Sequence, residues 1–337
     1  MEEQIKSRFS PEILANVATR YGVQSFDLVE LDGFESFIYE FALNGEKYIL
    51  RISHSLRRSE AMIRGEVDWI NFLVAGGASA SQVIESENGN LVESVDDHHS
   101  GTFLATVFEY AEGIPAWDFG WDDALYRSMG ITLGRNHRLT KGYQPKDPLA
   151  MRPQWDDPVM LIDRGWLPES ETVVWEKYAQ IVDWCHQLPK TEREYGLIHF
   201  DIHAMNFFVD GTGSLNLFDF DDCHYNWFAN DIAIMLFYMV LGQEDRASFA
   251  LDFMTEFIQG YKLENPFETE WLSQLPAFLK MREIDLYAII HRSFDVETMT
   301  DEWNLRYMNG RKERIEGDVP YIDLDFTRLA DLLESGL

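Results

Sequence analysis

Residues 198–222 read IHFDIHAMNFFVDGTGSLNLFDFDD. Two short apolar runs, NFFVD and SLNLFDF, flank Asp210-Gly211-Thr212-Gly213. Asp-Gly between such runs is hairpin chemistry, because these residues tolerate the positive φ angles that a tight turn needs. The polar residues gather at the two ends: His199, Asp201, His203 and Asn206 before the hairpin, and Asp219, Asp221 and Asp222 after it. A hairpin this short folds its ends together, so Asn206 and Asp219 are expected side by side, with Asp201 on the loop just before. Taken alone, IHFDIHAMN reads as a metal-binding cluster, a catalytic loop, or a core strand that happens to carry polar residues. The rest of the chain has to choose.

A chain of 337 residues suggests two domains or lobes. With 46% hydrophobic residues, among them 10 Trp, 14 Tyr and 23 Phe, it can bury a large core, which argues against global disorder. The formal net charge is −30, from 58 acidic and 28 basic residues. That balance repels phosphate backbones and anionic lipid, which disfavours nucleic-acid and membrane partners and suits a cationic small molecule. Its plainer meaning is solubility. Cys185 and Cys223 stand far apart without a CxxC partner and fit a reducing compartment. The start, MEEQIKSRFSPEIL, lacks a basic segment followed by an apolar run, so no secretory signal is expected. The run IAIMLFYMVLG after Asp231 is too short to cross a bilayer and reads as a buried helix. A cytoplasmic protein is expected.

Ser10, Pro11 and Gly22 punctuate an opening helix. Strands follow at FDLVEL, FIYEFAL and KYILRI, the last two joined by Asn44-Gly45, a strong hairpin signal. Ile63, Val67, Ile70 and Leu73 give a helix over about 59–76, and GNLVESV and GTFLATVFEY read as two more strands. After Gly113-Ile114-Pro115 the apolar spacing becomes helical, apart from the hairpin already quoted. The expected fold is α+β: a small antiparallel sheet with one helix over 1–110, then a larger, mainly helical lobe over 111–337.

There is no GxxxxGK[ST], no GxGxxG and no HExxH. What remains is carboxylate-centred. An amide oxygen from Asn206 beside a carboxylate from Asp219 makes a hard-oxygen site suited to Mg²⁺, with Asp201 within reach of whatever the metal holds.

At these residues the chain resembles a known family. H199-F-D-I-H-A-M-N206 followed by F218-D-F-D221 is similar to the catalytic loop and metal motif of the aminoglycoside phosphotransferase and choline kinase family, whose pattern is close to HGDxHxxN … DFD/G. The resemblance implies a bilobal protein-kinase-like fold, since protein kinases carry HRDxxxxN and DFG at the same Asp-to-Asn spacing. It implies transfer of a γ-phosphoryl group from ATP or GTP, with Mg²⁺, to a hydroxyl of a small amine-bearing or sugar-like molecule. Asp201 then accepts or orients the hydroxyl proton, and Asn206 and Asp219 hold the metal. LDGFESFIYEF, with Gly33 and Ser36, resembles the nucleotide-covering loop. Arg51 occupies the place of the phosphate-contacting strand lysine and Glu66 that of its carboxylate partner. FEYAEG resembles the inter-lobe linker, where backbone near Glu109 and Ala111 meets adenine. Asp231 resembles the buried aspartate that braces the catalytic loop, and His199 and His203 become loop-bracing residues. Phe200 departs from the pattern, which usually has a small residue there.

Other readings stay open. Some relatives of this fold phosphorylate protein serine or threonine, and Phe200 motivates a non-catalytic nucleotide-binding regulator. LNLFDFDD also resembles the start of a DxD-type phosphatase, although that fold wants alternating strands and helices afterwards. HxDxH as a zinc site lacks a convincing third ligand.

Overall fold

The computed structural model describes residues 2–335. The chain divides into two compact units, one of Met1–Phe119, Gly142–Arg152 and Asn206–Asp221, the other of Gly120–Lys141, Pro153–Met205 and Asp222–Leu337. They do not follow a single cut in the sequence, because the 206–221 hairpin packs into the unit that the N-terminal sheet builds.

That first unit opens with a short turn of helix, α1 (Glu3–Lys6), and then α2 (Pro11–Arg20). The Ser10 hydroxyl caps α2 by accepting from the Ile13 N–H at 3.3 Å. The sheet runs β1 (Val29–Leu31), β2 (Phe37–Leu43), β3 (Glu46–His54), β6 (Thr102–Glu109), β4 (Val83–Ile84), with β5 (Glu93–Asp96) also on β6 and every pair antiparallel. Asn44 (φ 55°) and Gly45 (φ 90°) make the β2–β3 turn, and their positive angles match the twist of the strands they join. Leu50 and Ile52 alternate inward along β3 and meet Phe103, Ala105 and Val107 of β6 and Ile13, Val17 and Ala18 of α2 in one core. Arg51 lies between them in sequence and so faces the opposite side, toward α3 (Glu60–Ala75). Ser59 caps α3 and Gly76 ends it.

Two expected strands come out shorter. In FDLVEL the chain makes a 3-10 turn over Ser25–Asp27 before β1 begins. In GNLVESV only Glu93–Asp96 is strand, because Asn88 and Asn90 turn back to hydrogen-bond the Glu93 carboxylate. The second hairpin forms about its Asp-Gly turn, as expected. β9 (Phe207–Val209) pairs β10 (Leu215–Leu217), with Leu217 opposite Phe207, and β7 (Ile114–Pro115) adds to β9 before α4 (Ala116–Phe119).

The second unit is mainly helical. α5 (Asp123–Thr140) and α8 (Arg246–Glu264) approach so closely that a Cβ on Gly130 would lie 1.9 Å from the Phe257 carbonyl oxygen, so only glycine fits there. α7 (Phe228–Met239) is buried on every side, with Ile232, Ala233, Ile234, Leu236 and Phe237 fully enclosed, and it packs on α9 (Leu275–Ser293). α6 (Thr172–Cys185) also packs on α9, and α10 (Glu302–Met308), α11 (Arg311–Glu316) and α12 (Phe326–Ser335) complete the unit. The antiparallel pair β8 (Tyr195–Ile198) and β11 (His224–Trp227) carries the loop that begins at His199. Among the described residues no helix is long and apolar enough to cross a membrane.

Candidate active site

In the first unit the centre is a set of arginines around two carboxylates. Arg51 and Glu66 form a two-pronged pair, Nη1 to Oε1 at 2.8 Å and Nη2 to Oε2 at 2.7 Å, and both side chains are buried. Such parallel charge-assisted bonds fix the guanidinium plane as well as its position. Neither Arg51 nor Glu66 is therefore an isolated surface charge. The chain contracts sharply at residues 33–36, where a Cβ on Gly33 would sit 2.1 Å from the Ser36 carbonyl oxygen, so glycine is required. Within this loop the Ser36 hydroxyl meets that of Ser53 at 3.0 Å, and Glu35 is ion-paired to Arg57.

The Phe218 N–H donates to the Asn206 carbonyl at 3.0 Å, which sets the ends of the hairpin together. Asn206 is buried, whereas Asp219 is exposed and takes a left-handed backbone (φ 61°). The three residues of DFD then diverge. Asp219 faces outward, and Phe220 is buried, its ring edge to face with that of Trp69 and their centroids 5.5 Å apart. Asp221 turns into the arginine set, ion-paired to Arg57 and 3.5 Å from Arg58 Nε, with Arg51 4.0 Å away. Burial works against its ionisation, but Arg57, Arg58, Arg51 and Arg152 together outweigh that and hold it well below the usual carboxylate range. Asp221 thus serves as the anionic hub of the arginines. Arg152 joins the set through the Asp221 carbonyl at 2.7 Å and the Met62 carbonyl at 2.9 Å.

Hard oxygens from Asn206 and Asp219 are the donor types that suit Mg²⁺, which usually keeps waters and substrate phosphates in its other positions. Among the described residues no group of three or more His, Cys, Asp or Glu is placed to hold a metal unaided, so HxDxH has no completed zinc set. In FEYAEG the Glu109 N–H is donated to the Gln82 carbonyl at 2.8 Å and that of Tyr110 to Lys47 at 3.2 Å, while Ala111 is buried.

In the second unit, Asp231 opens α7 and receives the backbone N–H groups of His199 at 2.9 Å and Phe200 at 2.7 Å. His137 Nε2 lies 3.1 Å from the same carboxylate, and its Nδ1 meets the Tyr261 hydroxyl at 2.8 Å. Burial opposes charge on Asp231, and these partners more than offset it, so its carboxyl is held below the ordinary value. This arrangement braces the loop. Inside the loop the Asp201 N–H donates to His199 Nδ1 at 3.3 Å, and the Met205 N–H to His203 Nδ1 at 3.2 Å. His203 Nε2 then faces Asp201 Oδ2 at 3.3 Å.

Asp201 Oδ1 is ion-paired to Arg282 of α9, which also donates to the Tyr238 hydroxyl at 2.7 Å. Burial raises the Asp201 pKa, but Arg282 and the two histidines overturn that and hold the carboxyl far below its usual range. His203 and Tyr238 also line a cavity of about 330 Å³ with Trp121, Tyr126, Met239 and Phe249. Reading the sequence did not single out Arg57, Arg58, Arg152, Tyr238 or Arg282. The adjacent Arg57-Arg58 after β3 was a usable signal, and the other three carried none.

A family model described as "Phosphotransferase enzyme family" matches residues 29–267. The amicoumacin kinase of Bacillus subtilis (strain 168) is 36% identical over 334 residues, covering 98% of this chain and 99% of that protein. A solved amicoumacin kinase in complex with AMP-PNP, Ca²⁺ and Ami superposes with a TM-score of 0.93 at 34% identity, covering 98% of this chain and all of that one (100%). A microcompartment-associated aminopropanol kinase shares the α+β, kinase-like fold, with a TM-score of 0.73 at 19% identity over 92% of this chain and 98% of that one. With 239 consecutive positions, 29 to 267, under the family model and a full-length relative above one-third identity, the chain belongs to the phosphotransferase enzyme family and is a phosphotransferase acting on hydroxyl groups.

Proposed function

We propose that this protein transfers the γ-phosphoryl group of ATP to a hydroxyl of a small amine-bearing molecule, with an amicoumacin-type acceptor as the first candidate. The observation that carries the reading is Asp201, held ionised beside His203, which itself lines an aromatic-walled cavity. In this reading 1–110 covers the nucleotide, and 111–337 supplies the base, the metal ligands and the acceptor pocket. Arg51, fixed by Glu66, meets the nucleotide phosphates. Gly33 and Ser36 cover them, and backbone near Glu109 and Ala111 meets the base through groups not already used in the sheet.

Asn206 and Asp219 would hold Mg²⁺, which when bound neutralises charge on the transferring phosphoryl group. The protein's own chemistry is then positioning. A carboxylate as acidic as Asp201 is a weak proton acceptor, so it orients the attacking hydroxyl and takes the proton late, as suits a loose transition state. The rings of Trp121, Tyr126, Tyr238 and Phe249 favour an acceptor with an apolar portion or an ammonium group over a ring face.

The test is release of ADP from MgATP in the presence of amicoumacin, an aminoglycoside, a simple amino alcohol, a neutral sugar, homoserine and a generic protein. Stimulation by amicoumacin or another amine supports the reading. Stimulation by the sugar or by protein alone would replace it, and none at all would favour a nucleotide-binding regulator.

A further inference from the structure

Phe200 stands where a small residue is usual, and it adopts a left-handed backbone (φ 68°) that disfavours a bulky side chain. Something must hold it there. Its N–H is bound by Asp231, its ring meets that of His224 edge to face with centroids 4.3 Å apart, and Arg282 sits over its face at 5.7 Å. The same guanidinium lies 5.2 Å from the Tyr238 ring centroid and donates to the Tyr238 hydroxyl. Arg282 is only 6% exposed, so it is no solvent-screened surface pair. Asp285, one turn further along α9, adds a second carboxyl facing it. The planar guanidinium is therefore gripped by two rings, one hydroxyl and the Asp201 carboxylate.

We propose that Arg282 is the positioning residue of this phosphotransferase, seated by the Phe200 ring and fixing the Asp201 carboxylate through Oδ1 while His203 steadies Oδ2. This rests on the reading of Asp201 as the residue that meets the acceptor hydroxyl. Tyr238 and His203 line the cavity, and of the ion-paired residues Arg282 is the more enclosed, its side chain 6% exposed against 24% for Asp201, so the arginine acts through Asp201. With both carboxylate oxygens engaged, rotation of the side chain about its terminal bond is blocked and a single direction remains for the hydroxyl. Phe200 then becomes part of the device: a bulky ring where the pattern has a small residue, used to seat an arginine against the catalytic loop.

The experiment compares wild type with Arg282→Met, Arg282→Lys and Phe200→Gly, using MgATP and amicoumacin as the probe acceptor. Removing the guanidinium is expected to lower kcat about 100-fold, the scale of a small misplacement at a reacting centre, with the KM for MgATP within about twofold. Lysine retains a charge that reaches Asp201 but cannot also serve Tyr238, so it is expected to recover roughly tenfold of that loss. Phe200→Gly is expected to fall between the two. An unchanged kcat in Arg282→Met, or a loss that appears wholly as a raised KM for MgATP, would overturn the proposal.

Crystal structures of the same variants decide the matter without an acceptor. Asp201 is expected to leave its wild-type rotamer in Arg282→Met, and an unmoved carboxylate contradicts the positioning role. If wild type ignores amicoumacin, the acceptor reading fails while the rotamer still tests Arg282. If Arg282→Met does not fold, Arg282→Lys and Phe200→Gly carry both measurements.

Discussion

At the scale of single residues, buried charges dominate, and each has a direction that can be measured. Glu66 is fully buried against Arg51, so Glu66→Ala strips the buried guanidinium of its two-pronged partner and leaves it only Asp221, 4.0 Å away and shared with other arginines. It is expected to cost about 3–5 kcal/mol in denaturant unfolding, with MgATP affinity reduced as well. A surface-like loss below about 1 kcal/mol would mean that the pair is solvated. Asp285 behaves in the opposite sense. Burial pushes its carboxyl from 3.8 up to about 7, with Arg282 only partly opposing. Its folded pKa is raised, so stability declines as pH rises from the unfolded value toward 7. Asp285→Asn removes that penalty, and its stabilising effect is expected to grow by roughly 2–3 kcal/mol between pH 5 and pH 8. A pH-independent difference in urea unfolding would refute this. That the hairpin brings its ends together at Asn206 and Phe218 was legible from the sequence because loop and hairpin are contiguous. Arg282 pairs with Asp201 from 81 residues away, and Arg57 with Asp221 from 164, and no local spacing encodes either.

At the scale of elements, the turns that place the strands carry as much as the strands themselves. Glu93, the first residue of β5, receives hydrogen bonds from Ser86 at 2.6 Å, Asn88 at 3.0 Å, Asn90 at 3.1 Å and Arg20 of α2 at 2.5 Å. Burial alone would raise its pKa. These donors reverse that and hold it down to about 2, from 4.5. Because the folded pKa is depressed, the contribution is complete above about 4.5 and fades as pH falls toward 2. Glu93→Gln is therefore expected to lose about 3 kcal/mol at neutral pH and to match wild type near pH 2, as read by chemical unfolding across that range. This knot also explains why GNLVESV gave a shorter strand than its alternation suggests. The apolar pattern was readable, but the side-chain bonds that pull 86–90 out of the sheet were not. Asn44-Gly45 and Ser59 to Gly76 were readable in full, since turn and cap chemistry is local.

At the scale of the whole chain, an acidic protein of net charge −30 concentrates four arginines around Asp221 in one unit and sets a single buried one, Arg282, against Asp201 in the other. Composition alone pointed away from polyanions and could not reveal that concentration. The α+β class was readable from where strand spacing gives way to helical spacing, whereas the inclusion of 206–221 with the N-terminal sheet depends on long-range packing. The central claim is that Asp201 directs phosphoryl transfer from ATP to a small-molecule hydroxyl. Its most direct test is the mass gain of one phosphoryl group on amicoumacin incubated with MgATP and either wild type or Asp201→Asn. Wild type is expected to convert the acceptor, with Asp201→Asn slower by 10²–10⁴-fold at unchanged MgATP affinity. Equal conversion by the two proteins would contradict the account.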